Sequence, residues 1–221
     1  MATKIAINGF GRIGRLAFRQ LFENTHYEIA AINDPAPAEL AAYLLRYDTT
    51  QGKYKPDTIS YHENSLIVDG HSIRYFSELN AEKLPWASLG IDLVVECSGA
   101  YRTKERNLLH LNAGAKRVIV SAPAGGDVPG IVYGINEKTL SKNEPIISAT
   151  SCSTNALAPM VKYLHEYAPI QSGIMLVVHG YTSTQMLQDN AQKNRNIRRS
   201  RAAAENIIPT TAEAAAAVGK V

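Results

Sequence analysis

Read for the spacing of apolar and polar positions, the chain opens with a short run of buried type, KIAIN (4–8). RIGRLAFRQLFE (12–23) follows, with apolar residues at helical intervals, and then YEIAAIN (27–33), a second buried run. AELAAYLLRY (38–47) reads as a second helix. The alternating stretches TISYH, SLIV and SIRYF predict a small antiparallel insertion. IDLVVEC (91–97) has the continuous apolar character of a strand buried on both faces, KERNLLHLNAGA (104–115) reads as a helix, and KRVIVSAP (116–123) as another strand. Strands alternating with helices predict a doubly wound parallel sheet, an α/β fold with right-handed crossovers.

The texture changes after 146–149. STNALAPMVKYLHEY (153–167) predicts a helix whose first turns Pro159 should weaken or kink. SGIMLVVH (172–179) reads as a strand. A long, mostly polar stretch (180–206) comes next, of the length usually reserved for a functional loop or an interface, and AEAAAAV (212–218) reads as helix. One strand, one helix and a long loop do not close a second core. The expected organisation is a domain over 1–149 and the beginning of another over 150–221, completed by further chain or by a partner.

Composition narrows the classes. With 45% hydrophobic residues the chain has the means to bury a core, and a net charge of +3 is too mild to argue for nucleic acid. No apolar run is long enough to span a membrane, and the amino-terminal residues read as a strand rather than as a signal peptide. Two cysteines, Cys97 and Cys152, make neither a disulfide framework nor a metal cluster, so the expectation is a reduced, cytoplasmic protein without a metal.

The first chemical signal is INGFGRIGR (7–15). Gly9, Gly11 and Gly14 give GxGxxG directly after a strand and at the opening of a helix. The first glycine permits a tight turn, the second lets a pyrophosphate approach the backbone, and the third permits close helix–strand packing. The helix start supplies N–H groups and a positive dipole end. Asp34 closes the second strand about 20 positions beyond Gly14. A carboxylate there accepts hydrogen bonds from an adenosine ribose and repels a 2′-phosphate, which favours NAD over NADP. It also suits a helix cap or a turn.

The second signal is SATSCSTNALAP (148–159), with Cys152 among hydroxyls ahead of a helix. On composition alone Cys152 fits a packing or capping residue as well as a thiolate nucleophile activated by a helix N-terminus. Cys97, inside VVECS, reads as packing. His179 ends a predicted strand, where catalytic groups emerge from an α/β sheet, while His26, His62, His71, His110 and His165 lie in helical or surface-like surroundings. Cysteine, histidine and a dinucleotide site together suggest one chemistry. A thiolate adds to an aldehyde, the resulting carbinol hydrogen leaves as hydride to NAD⁺, the histidine takes the hydroxyl proton, and a thioester remains.

INGFGRIGR, LPW, SCSTN, HGYT, RRSRAAAENIIP and AVGKV, in that order over the whole chain, resemble the phosphorylating glyceraldehyde-3-phosphate dehydrogenases, particularly their bacterial forms. The resemblance implies a Rossmann domain, a catalytic domain beginning at SCSTN, and a homotetramer in which 180–206 lies against a neighbour's cofactor. It implies Cys152 as nucleophile and His179 as base. Gly9, Phe10, Gly11, Arg12, Ile13, Gly14, Asn33, Asp34, Ser98, Gly99 and Ser121 would serve NAD. Ser151, Ser153, Thr182 and Arg198 would serve a small phosphorylated aldehyde and inorganic phosphate.

The chain departs from the family pattern at several places. Ala212 and Glu213 stand where a phosphate-binding Thr-Gly pair is usual, and Ala216 where a lysine is. A Glu213 carboxylate aimed into that pocket would repel a unit negative charge about 6 Å away by roughly 3 kcal/mol at an effective dielectric near 20. Ala156 replaces a second cysteine, Leu79 an arginine near the adenine, and Ala191 a proline of the long loop. The leading expectation is still the NAD-dependent, phosphorylating oxidation of glyceraldehyde 3-phosphate; the alternatives are release of the acyl group by water, as in the related erythrose-4-phosphate dehydrogenases, if these changes abolish phosphate binding, or a truncated non-catalytic NAD-binding paralogue. Much of the family's catalytic domain lies beyond AVGKV, so the 221-residue chain on its own should show little activity and should self-associate. Sedimentation combined with aldehyde-dependent NADH formation checks this, and a monomer with family-like turnover contradicts it.

Overall fold

The computed structural model of the chain describes residues 2–192, 196–211 and 214–221. They form two compact units, residues 1–152 with Val221 and residues 153–220.

In the first unit, β1 (Thr3–Asn8) leads into α1 (Arg12–Phe22), β2 (Tyr27–Asn33) and α2 (Ala38–Arg46). A two-residue ribbon, β3 (Tyr47–Asp48) with β4 (Gly52–Lys53), precedes a meander of β5 (Ile59–His62), β6 (Ser65–Val68) and β7 (His71–Phe76). The short α3 (Trp86–Leu89) precedes β8 (Leu93–Glu96), α4 (Lys104–Asn112), β9 (Arg117–Val120) and β10 (Ile146–Ser148). One eight-stranded sheet has the order β10-β9-β8-β1-β2-β7-β6-β5. The strands from β10 to β7 pair in parallel, and β7, β6 and β5 pair antiparallel. The expected α/β sheet is therefore present, and the antiparallel insertion extends its edge instead of standing apart. Beyond β2 the chain crosses to one edge at β5, works back inward through β6 to β7 beside β2, and then lays β8 on the other side of β1. Doubly wound sheets bind ligands at such a reversal, outside the carboxyl ends of the strands that flank it, here β1 and β8.

The two-residue alternation of side chains explains how both faces become buried. Ile5 and Ile7 of β1 pack with Phe18 of α1, Leu45 of α2 and Leu66 of β6. Ala6, between them, faces the opposite cluster, with Val94, Val118, Val120, Trp86 and Ile146. Phe18 is fully buried and meets Phe10 edge to face at 5.7 Å, which ties α1 to the turn after β1.

In the second unit, α5 (Cys152–Tyr167) runs through Pro159, and α6 (Ala214–Val218) follows far along the chain. A one-turn 3₁₀ helix at Arg198–Ser200 and an isolated bridge between Met186 and Ala202 are its other regular features among the described residues. The strand expected at 172–179 is not formed. Ile174, Leu176 and Val178 are almost wholly exposed. A strand exists by pairing its N–H and carbonyl groups with a neighbour, and the described residues of this unit offer no neighbouring strand. The helix expected over 212–218 is present as α6, while Ala212 and Glu213 lie outside the described residues.

Close packing of α1 on the turn before it yields a direct test. A Cβ on Gly14 would sit 2.0 Å from the Gly9 carbonyl oxygen, whereas one on Gly11 would meet nothing within 4 Å. Gly14→Ala should cost about 1–3 kcal/mol as an overpacking change, and Gly11→Ala, which only weakens the N-cap, less than about 1 kcal/mol. Thermal unfolding followed by circular dichroism compares the two. Equal stability of the variants would contradict the packing.

Candidate active site

The turn between β1 and α1 is shaped by its glycines. Gly9 has φ +91°, which side-chain-bearing residues avoid, and a Cβ there would lie 2.3 Å from the Ser98 nitrogen. Backbone from the end of β1 thus rests directly against backbone from the end of β8. Gly11 is the N-cap of α1, with no side-chain cap and no acidic residue in the first turn. No side chain caps the N–H groups of that turn, and a Cβ added at Gly11 would meet nothing within 4 Å. Such a helix start suits a phosphate.

Asp34, just past β2, accepts the Phe10 N–H at 2.6 Å through one oxygen and the Ala36 N–H at 2.9 Å through the other. It closes a turn and also pins the glycine-rich loop. A carboxylate has about four acceptor positions, so two remain in principle for a ribose. The loop is held from its other side by Arg15, absent from the sequence-derived set. This guanidinium donates to the Phe10 carbonyl at 3.0 Å, and burial lowers its pKa. Arg12, expected at the cofactor, pairs with Asp48 of β3 at 2.8 Å. Asp48 also accepts the Gln51 and Thr50 N–H groups at 2.8 and 2.9 Å. The Gln51 bond above all, then Thr50 and Arg12, hold its carboxyl at about 2, against the opposing effect of desolvation.

The ends of four parallel strands interlock around this loop. The Gly9 N–H donates to the Asn33 carbonyl at 2.7 Å, Cys97 N–H to the Asn8 carbonyl at 2.6 Å, and Ser121 N–H to the Glu96 carbonyl at 2.9 Å. Gly9, Phe10, Asn33, Asp34, Ser98 and Ser121, expected at one cofactor, therefore do cluster. Beneath them lies a polar chain that sequence reading missed. Glu96 and His110 are almost completely buried, and His110 lies on α4, one of the helical positions expected for it. Glu96 accepts from Ser98 N–H and Oγ at 2.7 and 2.5 Å, from Asn8 Nδ2, and faces His110 Nε2 at 3.0 Å. An acid ending an otherwise apolar strand was the available signal, together with the one tryptophan, whose indole N–H must find an acceptor when buried.

Cys152 is exposed and is the first residue of α5. A thiol at the start of a long helix sits where the dipole favours the thiolate. Ser151 and Ser153 flank it, each partly buried. The backbone two residues earlier is unusual: Thr150 has φ +59°, costly for a β-branched residue. Its N–H donates to Ser148 Oγ at 3.0 Å, and that hydroxyl donates to the Ala122 carbonyl at 2.8 Å. The strained turn redirects the chain from β10 into α5, and no composition or period marks it in the sequence. Cys97 is different: burial, partly offset by a hydrogen bond with Ser121, pushes its thiol up to about 11.

His179 is exposed and lies outside regular structure, not at the end of a strand. Its Nδ1 is 2.6 Å from the Gly180 carbonyl oxygen, which places the proton on Nδ1 and makes Nε2 the basic atom of the ring. Thr182 Oγ1 lies 3.0 Å from Thr184 Oγ1. Arg198 is exposed, and its neighbour Arg199 donates to Thr184 Oγ1 at 2.5 Å and Thr210 Oγ1 at 3.2 Å. Asn196, Arg198, Thr210 and Thr211 border a small cleft of about 260 Å³. Among the described residues no group of histidine, cysteine and acidic side chains has the makings of a metal site, and no helix is long and apolar enough to cross a membrane.

A family model described as the NAD binding domain of glyceraldehyde 3-phosphate dehydrogenase matches residues 3–104, and one described as its C-terminal domain matches residues 151–221. Glyceraldehyde-3-phosphate dehydrogenase of Thermotoga maritima is 50% identical over 221 residues, covering 99% of this chain and 66% of its own. The enzymes of Lactobacillus delbrueckii subsp. bulgaricus and Clostridium pasteurianum are 47% and 45% identical, over 67% and 65% of their lengths. The chain thus spans about two thirds of the length of the curated relatives it matches.

The Arg12–Asp48 pair carries a pH signature. Because the folded carboxyl is depressed, its contribution to stability is present above the unfolded value of about 4 and disappears as pH falls from there to about 2. The stability difference between the wild type and Asp48→Asn should be constant near neutrality and shrink through that acid window. Carboxyl carbon NMR of Asp48 gives the midpoint directly, and a midpoint at the unfolded value would contradict the geometry.

Proposed function

Because the chain belongs to the glyceraldehyde-3-phosphate dehydrogenase family, we propose that it serves the NAD-dependent, phosphorylating oxidation of glyceraldehyde 3-phosphate in glycolysis. The observation that carries the reading is the uncapped start of α1, opening at Gly11 beside the Asp34 carboxylate. That cradle fits a dinucleotide: first-turn N–H groups with Arg12, Ile13 and Gly14 for the pyrophosphate, and Asp34 for the adenosine ribose. Phe10, Asn33, Ser98, Gly99 and Ser121 line the rest of the cofactor's path. Bound NAD⁺ supplies the hydride acceptor.

The protein's own residues do the remaining work. The Cys152 sulfur adds to the aldehyde carbon, forming a C–S bond, and the thiol's proton passes by way of His179 to the carbonyl oxygen, which becomes a hydroxyl. Nε2 of His179 takes the hydroxyl proton as the carbon gives up its hydrogen with an electron pair, leaving a thioester on Cys152. An oxygen of inorganic phosphate attacks the thioester carbonyl, the C–S bond breaks, and the acyl phosphate departs as the thiolate is restored. Ser151, Ser153, Thr182 and Arg198 hold the phosphate groups. Residues 1–149 are the NAD-binding domain and 150–221 the beginning of the catalytic domain. The enzyme works as a homotetramer in the cytoplasm. Met160, Tyr163, Leu164 and Tyr167 support that assembly, forming an exposed apolar stripe at helical spacing along α5.

Thiol labelling tests the reading without depending on turnover. Iodoacetamide near neutral pH should modify Cys152 and leave Cys97 intact, and glyceraldehyde 3-phosphate should slow the reaction at Cys152. NADH formation should require both Cys152 and added phosphate, and His179→Asn should reduce it about 10²–10⁴-fold. Labelling that favours Cys97, or NADH formation untouched by Cys152→Ser, contradicts the assignment. Phosphate-independent oxidation assigns a hydrolytic ending instead.

A further inference from the structure

The chain of buried polar groups under the dinucleotide cleft has a fixed direction at both ends. On one side, the Glu78 N–H donates to Asn33 Oδ1 at 2.9 Å and the Glu78 carbonyl accepts from Asn33 Nδ2 at 2.9 Å. Backbone therefore settles which end of the Asn33 amide is which. Asn33 Nδ2 then donates to Asn8 Oδ1 at 2.7 Å, which leaves Asn8 Nδ2 to donate to Glu96 Oε2. On the other side, the indole of Trp86 is a donor only, and it donates to His110 Nδ1 at 3.1 Å. His110 must then carry its proton on Nε2, which donates to the same Glu96 oxygen at 3.0 Å. The remaining oxygen accepts the Ser98 N–H and hydroxyl at 2.7 and 2.5 Å. Every neighbour arrives as a donor, so position 96 needs a group that only accepts. A carboxylate meets that demand and an amide does not.

What Glu96 holds is functional backbone. Ser98 lies against Gly9, so the same carboxylate that fastens Ser98 also fastens Asn8, the last residue before the glycine-rich turn. We propose that Glu96 is a positioning residue for the dinucleotide site, holding the Ser98 loop and the end of β1 in the arrangement that accepts NAD⁺, with His110 and Trp86 fixing its hydrogen-bonding direction from behind. This inference rests on the NAD-binding reading of the preceding section. A buried carboxylate with only donors around it makes the loop rigid before the cofactor arrives, so less ordering is left for binding to supply.

The experiment is NAD⁺ titration of the wild-type chain, Glu96→Gln, Ser98→Ala and the double variant. Emission of Trp86, the one tryptophan, reports whether the network survives. Glu96→Gln should weaken NAD⁺ binding at least tenfold, and that loss should shrink in the Ser98→Ala background, because Glu96 acts through Ser98. The same fold-loss in both backgrounds would show a merely structural role, and unchanged affinity in folded Glu96→Gln would overturn the proposal outright. Should Glu96→Gln fail to fold, hydrogen exchange of the wild-type Ser98 amide decides. Marked protection without cofactor is expected, and exchange at the rate of an unstructured loop overturns the clamp. A wild-type chain that does not bind NAD⁺ at all refutes the functional reading and this inference with it, whereas wild-type binding with an indifferent Glu96 refutes the inference alone.

Discussion

The backbone of Gly9 lies so close to the backbone of Ser98 that no side chain fits between them, and the layout of the dinucleotide cleft follows from that contact. The ends of β1 and β8 are locked together there, the two strands between which the chain reverses its progress across the sheet. With Gly9 seated, Gly14 brings α1 onto the turn and leaves the helix start facing outward at Gly11. Asp34 and Arg15 then grip Phe10 by its N–H and its carbonyl. The phosphate site proposed here needs no dedicated binding side chain. It is made of backbone direction, and the surrounding contacts exist to fix that direction.

Much of the first unit was legible because a parallel sheet covered on both faces imposes a strong pattern. KIAIN, YEIAAIN and IDLVVEC became β1, β2 and β8 within two residues at either end, and the polar alternation at 59–76 became the three-strand antiparallel edge. The spacing of GxGxxG and Asp34 marked the tight turn after β1 and the acid that the structure shows bonded to it. Glu96, His110 and Trp86 carried no such mark, because their meaning depends on tertiary neighbours: each is an unremarkable member of its own element, and the chain that joins them crosses three of them. Thr150 is hidden for a different reason, since no local rule predicts a β-branched residue at positive φ; only the turn between β10 and α5 demands it.

The second unit shows where local pattern stops being sufficient. Residues 172–179 carry the apolar character of a buried strand, yet Ile174 and Val178 stand in solvent, because pairing and cover come from elsewhere in a structure and not from the segment itself. The stripe along α5 makes the same point for a helix: its spacing is that of a packed face, and it is exposed. The chemistry proposed for the thiol uses only the start of that helix, where Cys152 emerges after the strained turn.

The bare start of α1 is the proposed pyrophosphate site. A crystal structure of the chain with NAD⁺ tests that most directly. It should place the pyrophosphate oxygens within hydrogen-bond distance of the first-turn N–H groups of α1 and the adenosine ribose on Asp34. A cofactor bound anywhere else on the first unit, or a ribose that leaves Asp34 untouched, would contradict it.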